Sequence, residues 1–127
     1  KVPDDEPEHE TSDLLKQRWA KLIPGNQAAN KELVEKEKYG WKMNYVRLHP
    51  DMVCPTIVKA ETSLPFHPSE PRRLLVCEAA ALASFPPDFK FVGSRIDRIA
   101  RIGNCVPPLL MKAIADHIKT QILAACK

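Results

Sequence analysis

The chain has 127 residues and a mass of 14.3 kDa, the size of one domain or of one piece of a larger one. With 44% apolar and 28% charged residues it is neither a disordered tail, a collagen-like rod nor a membrane bundle, and it is too short for a complete doubly wound nucleotide-binding sheet beside a separate substrate domain. The net charge of +3 is uneven: residues 1–10 hold five acids against one lysine, net −4, which leaves +7 on the rest and suits a polyanionic partner such as nucleic acid.

In chain order, residues 1–11 read as an acidic, proline-containing linker with nothing to bury. The chain starts at Lys1 with no signal-peptide pattern, as an internal cut or processed end would. A helix is expected over 12–23, capped by Ser12, with Leu15, Trp19, Leu22 and Ile23 at helical spacing and Pro24-Gly25-Asn26 as its stop. Residues 28–38 are helix-compatible but mostly solvated charge, with only Leu33 and Val34 to bury. Val46 and Leu48 then alternate with polar neighbours, His49-Pro50-Asp51 marks a turn, and Thr56-Ile57-Val58 suits a second strand. Together these predict a short hairpin around 43–59. The three prolines of residues 60–73 predict an irregular loop.

Ala-rich residues 75–84 favour helix. Phe85, Phe89 and Phe91 are expected to fill a shared core. Ser94 and Asp97 form a capping box for a helix at 95–102 that Gly103 ends, and Pro107-Pro108 open a last helix to about residue 125. Leu110, Ile114, Ile118 and Ile122 make an apolar stripe on that helix, widened by Met111 and Ala115. No run reaches 18 apolar residues, so no membrane span is expected.

The chain shows no self-contained active site. Cys54, Cys77, Cys105 and Cys126 have neither zinc spacing nor a basic neighbour to make a thiolate, and read as reduced thiols of a cytoplasmic protein. His49 and His67 precede prolines and read as loop anchors. There is no dinucleotide fingerprint, P-loop or metal-binding histidine pair. One segment stands out: Gly103-Asn104-Cys105-Val106-Pro107-Pro108 places an amide side chain between a helix stop and a helix start, close to a positive helix N-terminus that suits a carboxylate.

That segment follows His67-Pro68-Ser69-Glu70-Pro71-Arg72-Arg73-Leu74, then Glu78-Ala79-Ala80, then Phe85-Pro86-Pro87-Asp88-Phe89. In this order the pieces resemble the last two conserved blocks of DNA (cytosine-5)-methyltransferases, HPxExxR-LTxREAARLQxFPxDF and IGNAVPPLL. Arg47-Leu48 with Pro55-Thr56-Ile57 resembles that family's "RL…PTI" segment, and Trp19-to-Gly25 its helix and "IPxG" turn. The resemblance covers about residues 12–119. Where the family has Thr, Arg, Arg and Gln, this chain has Leu75, Cys77, Ala81 and Ala83, and loss of the Thr helix cap should cost about 1 kcal/mol.

The resemblance implies an α+β fragment: a short hairpin from a target-recognition region, and C-terminal helices that pack on a Rossmann-like α/β domain binding S-adenosylmethionine. Residues 12–66 would hold the end of the catalytic region and a small recognition segment, and 67–127 the C-terminal motifs. It further implies methyl transfer from S-adenosylmethionine to C5 of a cytosine flipped out of duplex DNA. Gly103, Asn104 and Val106 would touch or frame the methionine end of the cofactor, while Arg47, Thr56, Arg72 and Arg73 would lie near DNA. The family's cofactor loop, its Pro-Cys-Gln nucleophile and its Glu-Asn-Val motif are missing from this sequence, and Cys54-Pro55 has the reverse order. The chain is then expected to be the tail of such an enzyme, a split-enzyme subunit or a decayed gene. As such it would be inactive alone and would need the remaining catalytic portion as partner. It would be cytoplasmic in a prokaryote or prophage host and nuclear in a eukaryote. A non-catalytic DNA- or protein-binding module of the same descent, a generic basic helical DNA-binding domain, and a homodimer through the last helix are the alternatives.

Overall fold

A computed structural model describes residues 12–36, 46–60 and 63–124. The linker expected at 1–11, the hairpin's first residues and Cys126 lie outside them.

Helix α1 spans Asp13–Lys21. The Ser12 hydroxyl accepts the Leu15 N–H at 3.4 Å, and Asp13 at the start with Arg18 and Lys21 at the end complement the helix dipole. The chain then turns at Gly25, whose φ of +73° suits glycine; an added Cβ would lie 2.5 Å from the Met52 sulfur. Helix α2, Gln27–Lys36, starts under Asn26, whose side-chain oxygen accepts the Ala29 N–H at 3.0 Å. Among the residues of α2 whose burial is described, the deeply buried one is polar: Asn30 accepts the Ile23 N–H at 2.8 Å and donates to the Ile23 carbonyl at 3.0 Å. A buried amide satisfied on both sides locks the α1–α2 turn.

The expected hairpin does not form among the described residues. Residues 46–48 pair instead with 65–67, which were expected to be an irregular loop. Phe66 N–H donates to the Val46 carbonyl at 2.7 Å and Leu48 N–H to the Phe66 carbonyl at 3.1 Å, a parallel bridge. On its other side this stretch pairs antiparallel with 72–74, through His67 N–H to Arg72 and Leu74 N–H to Pro65. The reason is placement. Pro50 and Pro55 remove donors from the second arm, and the backbone of Val58 and Lys59 lies against Gly103 rather than beside Val46. Leu64, Pro65 and Phe66, hidden in the proline-rich stretch, are among the most deeply buried side chains.

Helix α3, Val76–Leu82, packs on α4, Arg95–Asn104, and the core forms between them from Val76, Ala79, Ile99 and Ile102, joined by Ala83 at the end of α3 and by Leu64. The three phenylalanines stack at centroid distances of 4.8–4.9 Å, but on the rim of the core, with Phe89 51% exposed. The capping box of α4 is as expected, Asp97 N–H donating to Ser94 Oγ at 3.2 Å and Ser94 N–H to Asp97 at 3.1 Å. The helix runs on through Gly103 rather than stopping there. Helix α5, Pro108–His117, continues as a π-helical segment, Ile118–Leu123, and neither buries a side chain. Among the described residues no helix is long and apolar enough to cross a membrane.

Candidate functional site

Two clusters carry the residues singled out by sequence. The first is the turn between α4 and α5. Helix α4 delivers Asn104 to its end, where the side chain is exposed and its amide has no hydrogen-bond partner among the described residues. Cys105 caps the helix: its N–H and its Sγ both reach the Ile102 carbonyl, at 3.3 and 2.9 Å. Burial pushes the Cys105 and Cys54 thiols up, which makes both poor nucleophiles at neutral pH. Val106 is 51% exposed, and Pro107 opens α5 with no side-chain cap of its own. Gly103 serves packing: a Cβ there would sit 2.5 Å from the Val58 carbonyl carbon and 2.7 Å from Lys59 Cα. The close approach lets the 55–59 segment lie on α4 directly before the turn.

The second cluster lies along the 65–67 stretch. Arg72 forks onto Glu78, its two terminal nitrogens each 2.8 Å from a carboxylate oxygen, and its Nε donates to Glu70 at 2.5 Å. Glu78 also accepts the Leu75 N–H at 2.8 Å, the half of a capping box that the third helical residue supplies, while Leu75 offers no side-chain cap in return. Burial opposes ionisation of Glu78, yet the Arg72 fork and the Leu75 N–H hold its carboxyl below the usual range. Arg47 lies over the Trp19 ring at 3.7 Å and donates twice to the Pro68 carbonyl, while the Trp19 N–H reaches the His67 carbonyl at 2.8 Å. Arg73 donates to the Leu64 carbonyl and covers the Phe66 ring at 4.7 Å. His67 Nδ1 accepts the Glu70 N–H at 3.0 Å, closing the 67–70 turn. Thr56 is exposed. Arg47, Arg72 and Arg73 thus come together around one loop with donors engaged inside the protein, and Thr56 stands apart. Asn30 and Ser84, two polar residues that organise turns, escaped sequence reasoning; a small polar residue after an Ala-rich helix and before Phe-Pro was the available signal for Ser84.

The Glu78 contacts give a signed pH prediction. Because the folded-state pKa lies below the unfolded one, the pair contributes its full stability above the unfolded value near 4.5 and loses it as pH falls through the folded value. Glu78→Gln should therefore cost about 1–2 kcal/mol at pH 7, the partial exposure of the pair keeping the loss below that of a fully buried one. Urea unfolding at pH 7 and at a pH well below the folded-state value should show the wild-type advantage shrinking at the lower pH.

Among the described residues no cluster of three His, Cys, Asp or Glu could hold a metal. The sequence pattern of the C-5 cytosine-specific DNA methylases matches residues 5–120. The chain is 34% identical to the type II methyltransferase M.AquIB of Picosynechococcus over 72% of its own length and 81% of that protein. It is 45% identical to M1.HphI of Haemophilus parahaemolyticus over 58% of its length, but spans only 20% of that enzyme. Against DNA (cytosine-5)-methyltransferase 1 of Mus musculus the match is 39% over 48% of the chain and 4% of the relative. No solved structure matches.

Proposed function

The chain belongs to the C-5 cytosine-specific DNA methylase family, and from that membership we propose that it is the C-terminal portion of a DNA (cytosine-5)-methyltransferase. In this reading the assembled enzyme moves a methyl group from S-adenosylmethionine to C5 of cytosine in duplex DNA, with the nucleophilic cysteine on the remaining catalytic portion. The observation that carries it is the last helix. Leu110, Ile114, Ile118 and Ile122 are 41–53% exposed in one stripe that starts beside the Asn104–Pro107 turn. An apolar face of that kind needs a cover, and an α/β catalytic portion supplies one. A prokaryotic or prophage host, a cytoplasmic location and a role in restriction–modification accompany the reading.

The residues of the turn fit the cofactor. Asn104 has an unused amide for the polar methionine end, Val106 offers an exposed apolar wall, and Gly103 frames the turn by seating it on the 58–59 backbone. When bound, S-adenosylmethionine supplies the electrophilic methyl group. Thr56, exposed on the 55–59 segment, is assigned to DNA, and Arg47, Arg72 and Arg73 hold the loop that faces it. Transfer of labelled methyl groups to duplex DNA tests the proposal. The chain alone should transfer none, and the chain joined to its catalytic portion should turn over. Asn104→Ala should raise the KM for S-adenosylmethionine about tenfold, the loss of roughly 1.4 kcal/mol of binding. Turnover by the chain alone overturns the proposal. DNA retention with no transfer in any pairing assigns a non-catalytic binding module, and self-association through the stripe assigns a homodimer.

A further inference from the structure

The junction between α3 and α5 holds a feature that the methyltransferase reading leaves unexplained. Helix α3 ends in a Schellman arrangement: Ser84 N–H donates to the Ala81 carbonyl at 2.9 Å and Phe85 N–H to the Ala80 carbonyl at 3.0 Å. The residue after the cap must then be left-handed, and Ser84 has φ +63°, the only positive φ of a non-glycine among the described residues. Glycine is the usual occupant, because a side chain there is strained. The serine hydroxyl has a use that glycine lacks. It accepts the Leu109 N–H at 3.1 Å, 25 residues on, in the first turn of α5. That helix begins at Pro107 and Pro108, which have no side-chain cap, so one of its orphan donors would otherwise have no protein partner. Apart from the Met111 N–H bond to the adjoining Pro107 carbonyl at 3.0 Å, this is the one hydrogen bond among the described residues from 108–124 to the rest of the chain.

We infer that Ser84 is the N-cap of α5, supplied across the fold, and that it positions the Asn104–Pro107 turn by tying the start of α5 to the end of α3. The strained backbone is kept because the hydroxyl needs it. The role in cofactor placement rests on the methyltransferase reading; the capping role does not. Ser84→Gly and Ser84→Ala separate strain from cap. Glycine removes both, alanine only the cap.

The test is amide hydrogen exchange by NMR on the chain alone, with Leu109 compared against Ile99 in the core. In both variants Leu109 exchange should quicken about fivefold or more while Ile99 keeps its protection. The thermal midpoint should hold or rise in Ser84→Gly and fall in Ser84→Ala. Unchanged Leu109 exchange in both variants overturns the inference, as does an equal loss at Ile99, which would make Ser84 an ordinary part of the core. On the assembled enzyme, Ser84→Gly should raise the KM for S-adenosylmethionine with kcat kept. Released Leu109 with an unchanged KM overturns the positioning clause. The exchange measurement needs neither cofactor nor catalytic portion, so failure of the methyltransferase reading leaves its outcome intact.

Discussion

Phe66→Ala should lower stability by about 3–5 kcal/mol, the largest loss expected from any single truncation in this chain. The ring is fully buried, and its backbone is the middle line of the ladder joining 46–48 to 72–74. Truncation removes the ring's burial and leaves a cavity under the Arg73 guanidinium, which sits 4.7 Å from the ring centroid. Backbone hydrogen bonds alone cannot hold two neighbouring segments in register, so the loss should be cooperative. Urea unfolding should show the midpoint falling with little change of slope, and a shift of under 1 kcal/mol would show that the ladder is held elsewhere. Phe89, half exposed on the rim, is the built-in contrast: its truncation removes ring stacking of about 0.5–1.5 kcal/mol per pair and little burial.

Gly103→Ala comes next, with an expected loss of about 2–3 kcal/mol and a sign that is itself the test. A glycine inside a helix costs about 1 kcal/mol relative to alanine, so on propensity alone the substitution should stabilise α4. The new methyl group would meet the backbone of Val58 and Lys59, which has no rotamer to yield. Overpacking against main chain then outweighs propensity. Thermal unfolding should show a lower midpoint; a rise would mean that the 58–59 segment moves away at no cost, and that the glycine only spaces the turn. The loss should extend to function, because the same contact sets the distance between the Thr56 segment and Asn104.

These two positions also mark how far the sequence could be read. Helices α1 and α4 and the start of α5 were legible from Ser12, the Ser94–Asp97 box and Pro107-Pro108, because caps act within one turn of chain. The pairing of 46–48 was not, since period-2 alternation names a strand but not its partner, and Phe66 lay among prolines that mark loops more often than cores. The turn at Asn104 was legible as a motif. The reason for its glycine was not, because the backbone it touches lies some 45 residues earlier. The arginines were visible as charge, whereas their engagement with Trp19, Pro68, Leu64 and Glu78 is a tertiary fact.

The change from α to π winding at Ile118 bears on the shape of the last helix. An α-helix completes a turn in about 3.6 residues, so side chains repeating every four drift around the axis by roughly 40° per step. Carried from Leu110 to Ile122, that drift would wrap the row a third of the way round the helix. The π stretch Ile118–Leu123 winds more slowly, and over its length the drift reverses. Ile122 is thereby brought back toward the line of Ile114. The row then keeps to a narrower band of the helix surface than α winding throughout would give it. Substitutions at 119–121 that restored α winding at unchanged length would carry Ile122 on by roughly 40° and out of that line, while leaving every side chain of the ridge in place.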